Sequence, residues 1–81
     1  MHEQIKNFII RTFMGGKGTL DNGEPLFVAG IIDSLGFLEL LAFLEKTFHV
    51  SFRMSEITMD NFASVDKIAG LVQQKQNDAR L

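Results

Sequence analysis

The stretch between residues 15 and 33 constrains the fold of this chain more than any other part of its sequence. It opens with three closely spaced glycines, and it contains Pro25 and an Asp-Asn-Gly sequence, which interrupt helices and favour turns. A connection this long is uncommon in a small domain unless it packs on the core or serves the function. A strand over residues 26–28 is an alternative, although no other segment offers an obvious pairing partner. We predict that the connection packs on the core through Leu20, Leu26, Phe27, Val28, Ile31 and Ile32.

The two segments that flank this connection carry apolar residues at helical spacing. Residues 3–14 have the pattern of an amphipathic helix, formed by Ile5, Phe8, Ile9, Thr12 and Phe13. Residues 34–48 contain five leucines, two glutamates, an alanine and a lysine, which favour helix. Ser34 is predicted to be the N-cap of this second helix, and Gly36 is a weak point near its start.

Two more helical segments are predicted after residue 50. A short helical turn over residues 55–60 has Ser55 at the position of a cap. A longer helix over residues 64–75 has Ser64 at its start and an apolar face that matches a core-facing helix.

The length of 81 residues fits one small domain. We expect an all-α fold, a four-helix bundle with three main helices, one short helix and a long first loop. This domain spans residues 1–81, with its core within residues 3–75 and a frayed polar tail over residues 76–81. The chain has no cysteine, which excludes disulfides, thiol catalysis and cysteine-rich zinc sites, and its two histidines indicate no other metal site.

The charges of the chain are unevenly distributed. The formal net charge of −2 disfavours general binding of nucleic acid. Residues 1–19 carry +2, residues 20–45 carry −5 and residues 46–81 carry +1, so the central third is suited to basic partners. No apolar run approaches the roughly 20 residues of a membrane span, and no leader pattern is visible. We therefore expect a cytoplasmic protein.

The predicted helix over residues 34–48 has two apolar faces. The first, about 100° wide, has the width of a core-facing stripe. This core stripe consists of Phe37, Leu40, Leu41, Leu44 and Phe48. The second strip consists of Leu35, Leu38 and Ala42, flanked by Glu39 and Glu45. Because so small a domain can hardly bury both faces, we expect the second strip to be an exposed partner surface, unless Leu35 and Leu38 pack under the connection.

The sequence Gly30-Ile31-Ile32-Asp33-Ser34-Leu35-Gly36 leads into this helix. Taken alone, Ser34 is an ordinary helix cap. A nucleophilic hydrolase is disfavoured because Gly-x-Ser-x-Gly is absent and His49 lies about 20 Å farther along the helix. The whole sequence, in a chain of this length with this order of helices, resembles the acyl carrier protein family. The resemblance covers roughly residues 3–75, and the stretch Phe62–Ala69 is similar to the start of the family's last helix.

The resemblance implies that Ser34 carries a 4′-phosphopantetheine arm, transferred from coenzyme A by a phosphopantetheinyl transferase with help from Asp33. The unpaired N–H groups and the dipole at a helix start favour such an anion. The arm would end in a thiol, so that a chain without cysteine could carry thioesters. The resemblance further implies a monomer with no catalytic activity, which acts with acyl-loading and acyl-processing enzymes.

The same resemblance assigns roles to both faces of the second helix. The residues that contact partner enzymes would be Leu35, Leu38, Glu39, Ala42 and Glu45, with the carboxylates steering the encounter. The residues that would border an acyl pocket are Phe37, Leu40, Leu41 and Leu44. A side chain as bulky as Phe37 would either narrow the opening of that pocket or form one of its walls.

Two classes of cargo remain open at this point. An interior rich in leucine and phenylalanine favours fatty-acyl or polyketide-type chains of lipid biosynthesis. The modest acidity of the second helix, with Gly36 and Lys46 among its residues, favours an aminoacyl or D-alanyl group instead. A non-covalent helical adaptor, in which Ser34 is only a cap, is the alternative from a different class.

Overall fold

The structure is a computed structural model that describes residues 1–79, and every regular element in that range is helical. It contains the α-helices α1 (His2–Phe13), α2 (Ser34–Phe48) and α3 (Val65–Ala79), together with a short 3-10 helix at Met54–Glu56. The all-α fold predicted from the sequence is confirmed, with its three main helices, one short helix and long first loop. The bounds of α1 and α2 lie within one residue of those predicted.

The short helix differs from its prediction in position and length. It covers Met54–Glu56 rather than residues 55–60, and Ser55 lies inside the turn instead of capping it. The reason is local, because the carboxylate of Glu56 accepts a hydrogen bond from the N–H of Arg53 at 2.7 Å. This bond closes a single turn, and residues beyond it leave the helical path.

The last helix is longer than predicted. The predicted cap is confirmed, since the hydroxyl of Ser64 accepts a hydrogen bond from the N–H of Lys67 at 3.2 Å. The helix does not end at residue 75 but continues to Ala79, through glutamine and lysine residues that favour helix. Gln76 also donates its side-chain amide to the carbonyl of Phe48 at 3.4 Å. Residues 80 and 81 of the predicted frayed tail lie outside the described residues.

One apolar core joins the helices, and α1 packs against both α2 and α3. Each large side chain removed from water contributes about 1.5–3 kcal/mol, which is the main stabilisation of a chain without disulfides. The fully buried members include Ile5, Ile9, Leu26, Leu40, Leu44, Phe62, Ile68 and Val72.

The long connection packs on this core, as predicted. Its buried residues are Leu20, Leu26 and Ile32, while Phe27 and Ile31 are half-buried. The N–H of Leu26 donates to the carbonyl of Ala63 at 2.8 Å, which fastens the connection to the segment before α3. Residues 26–30 form consecutive turns rather than a strand. The prediction was wrong for Val28, which is 90% exposed.

Candidate functional site

The start of α2 is capped by Asp33. The backbone of Asp33 is extended, and its Oδ1 accepts a hydrogen bond from the N–H of Gly36 at 2.7 Å. The prediction that Ser34 is the N-cap is therefore wrong, because the preceding carboxylate takes that role and is as good a cap as a hydroxyl. Ser34 is instead the first helical residue, and both Asp33 and Ser34 are exposed.

The turn before α2 fixes where the helix begins. The N–H groups of Ile31 and Ile32 donate to the carbonyl of Leu26 at 3.0 and 3.1 Å, and Ile32 is buried. Gly30 has a φ of 76°, a left-handed conformation that glycine adopts without strain. The sequence singled out above thus forms a tight, anchored turn that ends directly before the exposed Ser34.

Gly36 has a structural role that its neighbours in the sequence do not reveal. It is buried, and a Cβ atom at this position would lie 2.6 Å from Cε1 of Phe13. Glycine therefore lets the aromatic ring from α1 approach the first turn of α2. Because the contact is between residues far apart in the chain, no local sequence signal could have revealed it.

The electrostatics of this helix start suit an anion on Ser34. The N–H groups in the first turn of an α-helix have no acceptor within the helix, and those of Ser34 and Leu35 lie at the positive end of its dipole. An exposed hydroxyl beside such donors fits a phosphodiester, which is the bond that joins phosphopantetheine to serine.

The second strip is exposed along α2. All its members are exposed, together with the flanking carboxylates: Leu35, Leu38, Glu39, Ala42 and Glu45. The exposed fractions of Leu35 and Leu38 are 73% and 62%, so the alternative in which these leucines pack under the connection is wrong. Glu45 has a structural contact as well, because its Oε2 accepts a hydrogen bond from the N–H of Phe52 at 3.1 Å.

The core stripe is buried, with Phe37 at its edge. The buried members are Leu40, Leu41, Leu44 and Phe48. The ring of Phe37 is half-buried, and its centroid lies 5.3 Å from that of Phe27 and 5.2 Å from that of Phe62. The four residues predicted to border an acyl pocket therefore belong to the packed core around α2.

The two histidines lie at helix ends. His2 Nε2 lies 3.0 Å from Oδ1 of Asp66, and His49 is the C-cap of α2 with a left-handed φ of 56°. Within residues 1–79, no group of three or more histidine, cysteine or acidic side chains is placed to hold a metal ion. None of the helices in this part of the chain combines the length and apolar character that crossing a membrane requires.

These features define a class of protein. An exposed serine is the first residue of a helix that carries an exposed apolar strip flanked by carboxylates. Such a chain is suited to carry a group on one side chain and to be recognised along one helix. Residues 8–72 match the family model described as "Phosphopantetheine attachment site".

Comparison with known proteins gives relatives of the same class. A probable acyl carrier protein, PigG, of Serratia sp. (strain ATCC 39006) is 37% identical over 75 residues, which cover 91% of this chain and 86% of the relative. A D-alanyl carrier protein of Streptococcus pyogenes serotype M5 (strain Manfredo) is 43% identical over 54 residues, covering 67% of this chain and 68% of the relative. The chain therefore belongs to the family of phosphopantetheine-binding acyl carrier proteins, whose cofactor is covalently attached 4′-phosphopantetheine.

A solved structure adds a three-dimensional match. One chain of a structure described as the crystal structure of FAD-dependent dehydrogenase superposes with a TM-score of 0.75 and is 34% identical. The match covers 83% of this chain and 96% of the other, so the two chains are of comparable length.

Proposed function

We propose that Ser34 is the attachment site of 4′-phosphopantetheine and that residues 1–81 act as a single carrier domain. The supporting observation is the position of Ser34, exposed at the first residue of α2 directly after a turn anchored by Ile32. When bound, the group supplies a tether ending in a thiol, on which acyl groups are held as thioesters. Asp33 holds the helix start and places a carboxylate next to the serine, where a phosphopantetheinyl transferase and its metal ion would approach.

Partner enzymes bind this carrier along the second strip of α2. Leu35 and Leu38 supply apolar contact area, and the small side chain of Ala42 permits close approach. Glu39 and Glu45 attract lysine and arginine residues on the partner, which raises the rate of encounter more than the affinity. A narrow strip of this kind supports a transient complex, as a carrier that is passed between enzymes requires.

The chain performs no catalysis in this proposal. Ser34 and His49 stand at opposite ends of α2, about 20 Å apart, so the only imidazole of that helix cannot activate the hydroxyl. The chemistry belongs to acyl-loading and acyl-processing enzymes, and the carrier acts as a monomer. We place it in the cytoplasm, where coenzyme A, the donor of the arm, is available to the transferase.

One class of acyl-processing partner is supported by the structural match. The matched chain of the FAD-dependent dehydrogenase structure has the length of a single small domain, comparable to this one. Because that structure is described as an FAD-dependent dehydrogenase, an enzyme of this kind is a candidate partner. It would oxidise the carried group with its flavin as acceptor. This candidate is compatible with both cargo classes, namely fatty-acyl or polyketide-type chains and aminoacyl or D-alanyl groups.

Intact-mass measurement tests the attachment site. The chain is incubated with coenzyme A, magnesium and a broad-specificity phosphopantetheinyl transferase, and we expect the mass of one phosphopantetheinyl group to be added. The addition should be lost in Ser34→Ala and retained in Ser51→Ala, a matched change at an exposed serine outside the helices. A folded wild-type chain that gains no mass contradicts the proposal and favours the non-covalent adaptor.

A further inference from the structure

Four phenylalanine rings form a continuous row beside α2. The centroid of Phe37 lies 5.3 Å from that of Phe27 and 5.2 Å from that of Phe62. Phe62 in turn lies 5.2 Å from Phe52. All three distances are within the range of direct aromatic contact, and the interplanar angles of 58–79° place ring edges toward ring faces.

The row joins parts of the fold that are distant in the chain. Phe27 comes from the long connection, Phe37 from α2, and Phe52 and Phe62 from the segment between α2 and α3. At the far end of the row, Nζ of Lys75 on α3 lies 5.6 Å from the centroid of the Phe52 ring. The rings thus link the long connection, α2 and the segment between α2 and α3, and one end of the row contacts α3 through Lys75.

The position of Phe37 decides what a group attached near Ser34 would meet. Residues three and four apart share a face of a helix, so Phe37 lies one turn from Ser34, and Leu41 and Leu44 follow farther along. A chain that approached the core along α2 from the Ser34 end would reach Phe37 before either leucine. Phe62, the next ring in the row, is fully buried, so its ring cannot turn out into solvent to make room.

We propose that this aromatic row closes the core to the carried group. Phe37 is the residue that excludes the group from the core. Protein interiors are close-packed, so inserting a chain of methylenes between rings already in contact would force them apart at a cost in stability. The cargo therefore stays outside the core. Because a long apolar chain would there be exposed to water, the closed core favours short acyl or aminoacyl groups. This inference rests on the proposed attachment at Ser34 and selects between the two cargo classes left open above.

Loading with two cargoes of different length tests the inference. The transferase attaches the arm together with its acyl group when it is given acetyl-coenzyme A or octanoyl-coenzyme A, and intact mass verifies each product. In the wild-type chain, NMR should show no nuclear Overhauser effect between octanoyl methylene protons and the ring of Phe62 or the methyl groups of Leu41. Such contacts in the loaded wild-type protein would overturn the inference and leave the attachment at Ser34 standing.

The variant Phe37→Ala tests the assigned residue. Removing the ring leaves space that an octanoyl chain can fill, so the octanoyl form should melt about 4–8 °C above the acetyl form. The wild type and Phe43→Ala should show no such difference, because the ring of Phe43 stacks on Phe8 at 4.0 Å, outside the row. Equal differences in all three proteins would refute the role of Phe37, and Phe37→Leu replaces the alanine variant if that one does not fold. Failure to load any group would instead contradict the attachment itself.

Discussion

The carboxylate of Asp33 accepts a hydrogen bond from the N–H of Gly36 at 2.7 Å, and this bond begins the helix that presents Ser34. It satisfies one of the N–H groups that a helix start leaves without an acceptor. The exposed serine is thereby held at the first helical position rather than on a free loop. Adjacent residues therefore cap α2 and present the proposed attachment site.

Replacing Asp33 separates these two roles. Asp33→Ala should lower the free energy of unfolding by about 1 kcal/mol, whereas Asp33→Asn should be nearly neutral because asparagine caps as well as aspartate. Urea unfolding measures both effects. We expect both variants to accept phosphopantetheine more slowly than the wild type, since both lack the carboxylate charge. An asparagine variant modified at the wild-type rate would restrict Asp33 to capping.

Gly36 should be intolerant of even one added carbon atom. The Cβ of Gly36→Ala would lie 2.6 Å from Cε1 of Phe13, and the resulting displacement should outweigh the helix-favouring effect of alanine. We expect a net loss of about 1 kcal/mol in urea unfolding. Gly70→Ala is the matched control, because no atom lies within 4 Å of a Cβ added to this exposed glycine of α3. That variant should gain about 1 kcal/mol, and a gain in both would exclude the close contact.

The sequence was sufficient to predict which face of α2 packs on the core. A repeat of 3.6 residues orients every side chain of a helix once the helix is assigned, so the burial of Leu40 follows from spacing. The exposure of Leu38 did not, because the connection could have covered it. The capping residue could not be chosen in this way. Asp33 and Ser34 are neighbours of equal capping preference, and only the three-dimensional path of the turn distinguishes them.

Features that depend on contacts between distant residues were not predictable. The approach of Phe13 to Gly36 and the ring contacts of Phe37 have no counterpart in local spacing. The extent of the short helix is likewise set by side-chain hydrogen bonds of Glu56 rather than by propensity. The helical pattern therefore predicted the strip of α2 that does not face the core, whereas the ring contacts around Phe37 required the structure.

Truncation of Leu38 and truncation of Leu40 should change the stability of the fold by very different amounts. Leu38 is 62% exposed, so Leu38→Ala should change the free energy of unfolding by no more than about 0.5 kcal/mol. Leu40 is fully buried, and Leu40→Ala should cost about 2–5 kcal/mol. With the phosphopantetheinyl transferase, Leu38→Ala should lower kcat/KM about fivefold through lost apolar contact. An unchanged kcat/KM would remove Leu38 from the proposed partner surface.

The C-cap of α2 offers a stabilising substitution. His49 has φ 56° and ψ 48°, a left-handed conformation that disfavours any residue with a Cβ atom. Glycine is the residue most often found at such helix ends. His49→Gly should therefore raise the free energy of unfolding by about 0.5–1 kcal/mol, measured by urea unfolding at neutral pH. A loss of stability would show that the imidazole makes a contact that matters more than backbone strain.

The ion pair between Glu56 and Lys75 predicts a dependence of stability on pH. Nζ of Lys75 donates to Oε1 of Glu56 at 2.8 Å, and this bond, with a second from the N–H of Arg53, holds the pKa of Glu56 below its ordinary value of 4.5. A carboxyl whose pKa is lower in the folded state stabilises that state above the ordinary pKa, and the contribution is lost as pH falls through the folded-state value. It is therefore present at pH 7 and absent in strong acid.

Lys75→Met isolates this contribution, because methionine keeps an apolar stem near Phe52 but removes the charge and the donor. Urea midpoints are measured at pH 7 and pH 3 for the wild type, Lys75→Met and the control Lys67→Met, an exposed lysine of the same helix. The wild type and Lys67→Met should both be less stable in acid, because both keep the Glu56–Lys75 ion pair. The decrease should be smallest in Lys75→Met, whose Glu56 lacks the donor that lowers its pKa most. Equal decreases in the two lysine variants would mean that the Glu56–Lys75 pair contributes nothing to the stability of the fold.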